Sequence, residues 1–166
     1  LRDALTGSGF EVNPYDLCTF NKVVDGVQLS IAFHVDDLLI TSVSETAIDW
    51  LVSELEGRFA GVSATRGVKH SYLGMTITAG PDYYTLDMSG YLDKLLEGRH
   101  VKACPCPAND TLMEEPPEAE ELDAAAQKVF HSDVAKVLYI AKRVRQMVLP
   151  ATSVLAGRVN KATTHD

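Results

Sequence analysis

From Val27 onward the chain alternates: Val27, Leu29, Ile31 and Phe33 are apolar, while Gln28, Ser30, Ala32 and His34 are polar or small. A period of two places these sets on opposite faces of a β-strand, one covered and one wet. Residues 17–23 are also rich in strand formers, and Val24-Asp25-Gly26 separates the two runs. Asp-Gly predicts a two-residue hairpin turn, because both central residues need positive φ. That loop length sets the register: Phe20 opposite Ile31, Asn21 opposite Ser30, Thr19 opposite Ala32 and Cys18 opposite Phe33.

The second strand runs into His34-Val35-Asp36-Asp37 and leaves as Leu38-Leu39-Ile40-Thr41, a strand, a tight acidic turn and another strand. Ser44 is placed to cap a helix. Ile48, Leu51, Val52, Leu55 and Phe59 form its apolar stripe, with Trp50 off it and partly exposed. Residues 72–78 and 83–88 predict a further hairpin turned at Gly80-Pro81-Asp82. Gly74 within it predicts a bulge or a close backbone approach. Ser89 caps a helix over 91–97 that stops at Gly98. A proline-rich connector, Cys104-Pro105-Cys106-Pro107 to Pro116-Pro117, reads as a surface linker. A long helix is predicted over 124–147, with Val129, Phe130, Val134, Val137, Leu138, Ala141 and Val144 inward. Pro150 breaks it or starts a last helix ending near Asn160. The fold class is α+β: an antiparallel sheet with a covering helix, then a helical segment.

The chain has 166 residues, 46% of them hydrophobic, which suits a globular core and excludes a disordered chain. One domain or two small subdomains is the expectation from length. No apolar run approaches the roughly 20 residues of a membrane helix, and the first residues carry no secretion pattern. The chain does not open on Met, which points to a fragment. Three cysteines without a pairing pattern suit a reducing, intracellular setting, with a cytoplasmic particle or the nucleus left open. The formal charge of −8 is uneven: residues 114–123 hold six acids and no base, and residues 124–166 hold seven bases and two acids. The acidic total argues against a polyanionic partner, and the cationic last quarter argues for one. The plainer alternative is that Lys136, Lys142, Arg143 and Arg145 are the wet face of a helix.

The strongest chemical feature is Asp36-Asp37. Neighbouring carboxylates in a tight turn repel each other, and a hard cation relieves that repulsion. Mg²⁺ is commonly held by one or two carboxylates plus substrate phosphates, and two such ions can clamp both oxygens of an in-line displacement at phosphorus. Residues 38–40 anchor the turn on the sheet. Solvation and Asx hydrogen bonding are the competing explanation for an Asp-Asp turn. His34 lacks a second His or Cys nearby, so no zinc site is expected. Cys104 and Cys106 lack a second pair and read as linker. Tyr83 and Tyr84 read as hairpin packing.

Phe33-His34-Val35-Asp36-Asp37-Leu38-Leu39-Ile40 resembles motif C of reverse transcriptases, usually Tyr-X-Asp-Asp in a palm hairpin. Other segments resemble the copia-type LTR-retrotransposon family in the same order. These are Gly9-Phe10 with Pro14-Tyr15-Asp16-Leu17-Cys18-Thr19-Phe20, Thr65-Arg66-Gly67, His70-Ser71-Tyr72-Leu73-Gly74-Met75, and Tyr91-Leu92 with Leu95-Leu96. The Cys-Pro-Cys-Pro connector and Val134-Ala135-Lys136-Val137-Leu138-Tyr139 with Arg143-Val144-Arg145 complete the set. His34 in place of Tyr resembles a branch of copia-like elements from marine algae and other protists.

The resemblance implies a partial palm over 1–88, a helix and connection over 89–103, a Pro/acidic linker over 104–123 and a thumb-like helical segment over 124–166. It implies Asp36 and Asp37 as catalytic metal ligands, for two Mg²⁺ ions in the intact parent, with Mn²⁺ as an option. His34 would lie near the primer terminus, Tyr72, Leu73, Gly74 and Met75 would grip the primer, and Lys136, Lys142, Arg143 and Arg145 would track the duplex, with the acidic linker facing away. The implied partners are an RNA template–DNA primer hybrid and a deoxynucleoside triphosphate, with no membrane. The family's first catalytic Asp and its nucleotide-checking loop lie upstream and have no counterpart here. The usual Arg-Pro-Asp reads Arg145-Gln146-Met147, a sign of a decaying copy. The expectation is a polymerase fragment, inactive as this chain, with an edge of its sheet left poorly covered. The alternatives are a dead transposon remnant that binds nucleic acid or protein, and a Mg²⁺-dependent phosphohydrolase built on the same two aspartates.

Overall fold

The Asp25-Gly26 pair sets the first ladder. In the computed structural model, which describes residues 1–99, 101–114 and 116–166, Asp25 has φ 51° and Gly26 φ 79°. Both values are positive, as a type I′ hairpin turn requires. The turn joins Asp16–Val24 (β2) to Val27–His34 (β3). Phe20 opposes Ile31, Asn21 opposes Ser30 and Thr19 opposes Ala32, as the loop length predicts. The expected Cys18–Phe33 pair is not formed. The ladder stops at Thr19, and the Cys18 N–H donates instead to Asp16 Oδ1 at 2.9 Å.

Glu11–Asn13 (β1) and Asp37–Ser42 (β4) complete an antiparallel sheet in the order β1-β2-β3-β4. Its apolar face carries Phe20, Leu29 and Ile31, all fully buried. Leu5 from Arg2–Gly7 (α1), Phe10, and Ala47, Leu51 and Leu55 of Glu45–Glu56 (α2) pack on it. Burial of each large side chain in such a core is worth about 1.5–3 kcal/mol. Ser44 caps α2 as predicted, its Oγ accepting the Ala47 N–H at 3.2 Å. The buried stripe of α2 is Ala47, Leu51 and Leu55, with Ile48 partly covered, while Phe59 lies beyond the helix end and is exposed.

Trp50 is partly covered: it stacks on Phe10 at 6.4 Å, and Lys22 Nζ stands 4.3 Å above its ring while donating to the Ser8 carbonyl at 2.7 Å. The opposite sheet face is polar. Ser30 Oγ donates to Asn21 Oδ1 at 2.7 Å, and Gln28 Nε2 donates to Ser30 Oγ at 2.9 Å.

The predicted strand over 72–78 is two strands. Leu73 (φ 51°) and Gly74 (φ 73°) form a second I′ turn, joining Lys69–Tyr72 (β5) to Met75–Ala79 (β6). Gly74 is therefore a turn residue and not a bulge. At the next turn the Gly80 N–H donates to the Tyr83 carbonyl at 2.7 Å. A Cβ on Gly80 would meet the Tyr83 ring at 2.6 Å, so a larger residue there would displace that exposed ring. The second sheet runs in the order β5-β6-β7, its last strand being Tyr84–Asp87 (β7).

The chain divides into two units, 1–84 and 85–166. The second opens its first helix, Ser89–Leu96 (α3), without a side-chain cap: Met88 precedes it, and the predicted cap, Ser89, is its first residue, donating its N–H at 3.3 Å and its hydroxyl at 2.6 Å to Asp87. Ala124–Ala141 (α4) is capped by Asp123 and stops well short of 147. The N–H groups of Arg143, Val144 and Arg145 all converge on the Ile140 carbonyl, which unwinds the chain there. Pro150 then sits in the first turn of Leu149–Arg158 (α5), where a missing N–H costs nothing.

Val134, Ile140 and Ala141 are buried in this unit, and Val129, expected inward, is exposed. The expected linker is fastened at its end. Glu121 bridges Thr163, Leu122 N–H donates to the Ala162 carbonyl at 2.8 Å, and Thr164 N–H to the Glu120 carbonyl at 2.9 Å. Glu115 of the acidic run lies outside the described residues. Among the described residues no helix is long and apolar enough to cross a membrane.

Candidate functional site

The β3–β4 connection is the tightest kind, a two-residue loop of Val35 and Asp36 closed by the His34–Asp37 pair. Val35 takes φ 55°. For a β-branched residue that value is an outlier, and such strain persists where the surroundings impose it, characteristically at functional sites. The two-residue hairpin imposes it here, and packing does not compensate for it, since Val35 is 74% exposed. Asp36, Asp37 and His34 are exposed as well. By register, His34 and Asp37 continue the polar face of Ser30 and Gln28.

Chain direction brings a second turn to the same end of the sheet. Pro14-Tyr15 closes β1 onto β2 through the Asn13–Asp16 pair, beside the β3–β4 turn and opposite Asp25-Gly26. Asn13 Oδ1 accepts the Tyr15 N–H at 2.9 Å. Asp16 accepts from the Cys18 N–H and from the Thr19 hydroxyl, both at 2.9 Å. Those two hydrogen bonds, the backbone one first, hold its carboxyl below the usual carboxylate range.

The β5–β6 hairpin supplies the third component. Burial pushes the half-buried Tyr72 phenol up, and the charges of Asp37, Cys18 and Asp16 push it further. Tyr72 thus stands where it senses both turns. Leu73 and Met75 flank it half-buried, and Gly74 is exposed at the turn. His34, Asp36, Asp37 and Tyr72 are therefore gathered at one end of the first unit. Asp16 was not among the residues the sequence singles out for chemistry. The signal was strand parity: the Asp25-Gly26 register returns the start of β2 to the level of Val35.

Two adjacent carboxylates on a fixed turn suit a hard divalent cation that draws its other ligands from substrate oxygens and water. They do not make an all-protein cage: among the described residues no group of three or more His, Cys, Asp or Glu could hold a metal ion.

The predicted cations belong to the second unit, and only Lys136 of the four lies within α4. Lys136 Nζ is 3.8 Å from Asp133, whose two oxygens are taken at 2.6 Å by the Arg99 guanidinium. Lys142 is the residue that ends α4, and Arg143 and Arg145 follow it. The Arg143 guanidinium lies 3.6 Å over the Tyr139 ring and donates to the Tyr139 carbonyl at 3.2 Å, and Tyr139 stacks on Tyr91 at 5.4 Å. Arg145 lines a cavity of about 170 Å³ with Asp87, Ser89 and Val144. Acids precede α4 and bases follow it, the polarity a helix macrodipole favours. This is a structural reason for the charge pattern that holds with or without a polyanion.

Compared with protein-family models, curated proteins and solved structures, the chain matches none.

Proposed function

We propose that this chain is the palm-and-thumb part of a copia-type reverse transcriptase, whose Asp36–Asp37 turn engages a divalent cation at the end of a growing polynucleotide. The observation that carries this reading is the strained two-residue turn that presents both aspartates to solvent, with Tyr72 of a separate hairpin within reach of the Asp37 charge. A bland solvated turn accounts for two exposed carboxylates. It does not account for a β-branched residue at a hairpin position whose positive φ suits Gly, Asn or Asp, or for a tyrosine drawn into the field of the acids. The cation, Mg²⁺ or Mn²⁺, would neutralise charge on substrate phosphates when bound. Asp36 and Asp37 would hold it, and His34 and Tyr72 would border the primer end. The parent reaction is nucleotidyl transfer from a deoxynucleoside triphosphate to a primer 3′-hydroxyl, templated by an RNA or DNA strand.

A second reading draws on a different observation. The resemblance calls for one more aspartate at the metal, and no described group of three ligands supplies it. For the chain by itself this favours a nucleic-acid binding module over an enzyme.

Two measurements test both readings. Mn²⁺ titration followed by electron paramagnetic resonance should show binding that Asp36→Asn and Asp37→Asn each weaken at least several-fold; binding unchanged in both variants removes the metal site. Primer extension by this chain should fail, and sustained extension overturns the binding-module reading.

A further inference from the structure

We infer that the Pro14-Tyr15 turn is a second ligand-contacting element of the acidic end, with the Tyr15 ring a stacking platform for a base of the polynucleotide. The inference rests on the function proposed above. Tyr15 is 98% exposed, and Leu17 (59%) and Val35 (74%) lie at the same end of the sheet. The fold gains almost nothing from a ring left in water, so packing does not explain Tyr15.

The turn is nevertheless firmly held. Pro14 fixes its own φ, Asn13 Oδ1 accepts the Tyr15 N–H, and Asp16 is engaged on both oxygens. Few backbone freedoms remain to be lost when a ligand docks. With two strand spacings between the turns, Tyr15 stands about 10 Å from the Val35-Asp36 turn.

Charge decides which part of a polynucleotide meets this turn. Asp16, Asp36 and Asp37 make this end anionic, while Lys22, Arg58 and Arg66 are held by the Ser8 carbonyl, by Glu54 and by Asp49. These three carboxylates repel phosphates unless a cation sits between them. A flat, uncharged base gains stacking on Tyr15, an interaction that is indifferent to sequence.

The test uses the whole chain and a single-stranded deoxyoligonucleotide carrying one 2-aminopurine, with and without Mg²⁺. Wild-type protein should bind and change the probe's emission on stacking. Tyr15→Ala should weaken binding about tenfold and abolish the stacking signal, whereas Tyr15→Phe, which keeps the ring, should retain the signal. A thermal melt that Tyr15→Ala leaves in place shows that the variant folds. Tyr15→Ala binding and stacking like wild type overturns the inference, as does failure of the wild type to bind. The acidic site fails separately: if Asp36→Asn/Asp37→Asn leaves the Mg²⁺ dependence intact while Tyr15→Ala still weakens binding, the cation reading falls and the platform stands.

Discussion

The Tyr72 phenol lies in the electrostatic field of Asp37, joining the turn-proximal end of β5 to the first residue of β4. Burial is the larger influence on its ionisation and the Asp37 charge the next. Its titration midpoint should therefore lie above the usual tyrosine value of about 10. Difference ultraviolet titration of wild type against Tyr72→Phe isolates this phenol, and Asp37→Asn should lower its midpoint. A raised folded value means stability is complete below the unfolded midpoint and is lost as pH rises through the folded one. The first unit should thus weaken in alkali. A midpoint indifferent to Asp37→Asn would separate the two residues.

Val35 holds a conformation that suits glycine, and it is exposed, so Val35→Gly loses little packing. Relief of strain, about 1–3 kcal/mol for such a position, exceeds the extra entropy of glycine at about 0.5–1 kcal/mol. Val35→Gly should raise the urea midpoint of unfolding. A fall would show that the turn is unstrained.

Phe20 is fully buried between sheet and helix. Phe20→Ala should cost about 3–5 kcal/mol. Trp50 is the chain's single tryptophan and packs on Phe10 beside this core, so its fluorescence follows the transition. A shift below 1 kcal/mol would mean that the core collapses around the deletion.

Burial alone would push the Asp166 carboxyl up, but the Arg158 guanidinium at 2.8 Å and the Thr163 amide and hydroxyl outweigh it and hold it below the usual range. A depressed folded value means the stabilisation is present above the unfolded midpoint near 3.9 and is lost as pH falls through the folded one. Helical circular dichroism should therefore melt earlier in acid. Asp166→Asn should bring that loss to neutral pH, about 1–2 kcal/mol for a part-buried, charge-assisted pair broken on one side. An acid profile unchanged by the substitution would assign the loss elsewhere.

The β2–β3 ladder was legible because Asp25-Gly26 leaves the backbone one good turn. Leu73-Gly74 adopts the same turn and was missed, because leucine at the first position is no turn former and the flanking residues read as continuous strand. Ser44 announced its helix. Ser89 did not cap its own, since the helix begins on Ser89 itself and the hydroxyl is donated to Asp87 at the end of β7. The early end of α4 was hidden for a related reason. Val144 keeps the apolar spacing of the helix after the backbone has left it, and convergence on the Ile140 carbonyl is a tertiary event. At the candidate site, the aspartates and their turn were visible as a motif. Asp16 needed the register, and the exposure of Tyr15 needed the fold.

The segregation of charge along α4 has an electrical consequence. Asp123 at one end and Lys142, Arg143 and Arg145 at the other are separated by eighteen residues of helix, about 27 Å. These side chains therefore form a dipole of their own, opposed to that of the α4 backbone and larger than its half-charges. Near a polyanion it experiences a torque before contact, turning its basic pole forward within a Debye length of about 10 Å at 0.1 M salt. Orientation would then be settled during approach, and added salt would slow productive encounters more than it loosens those already made.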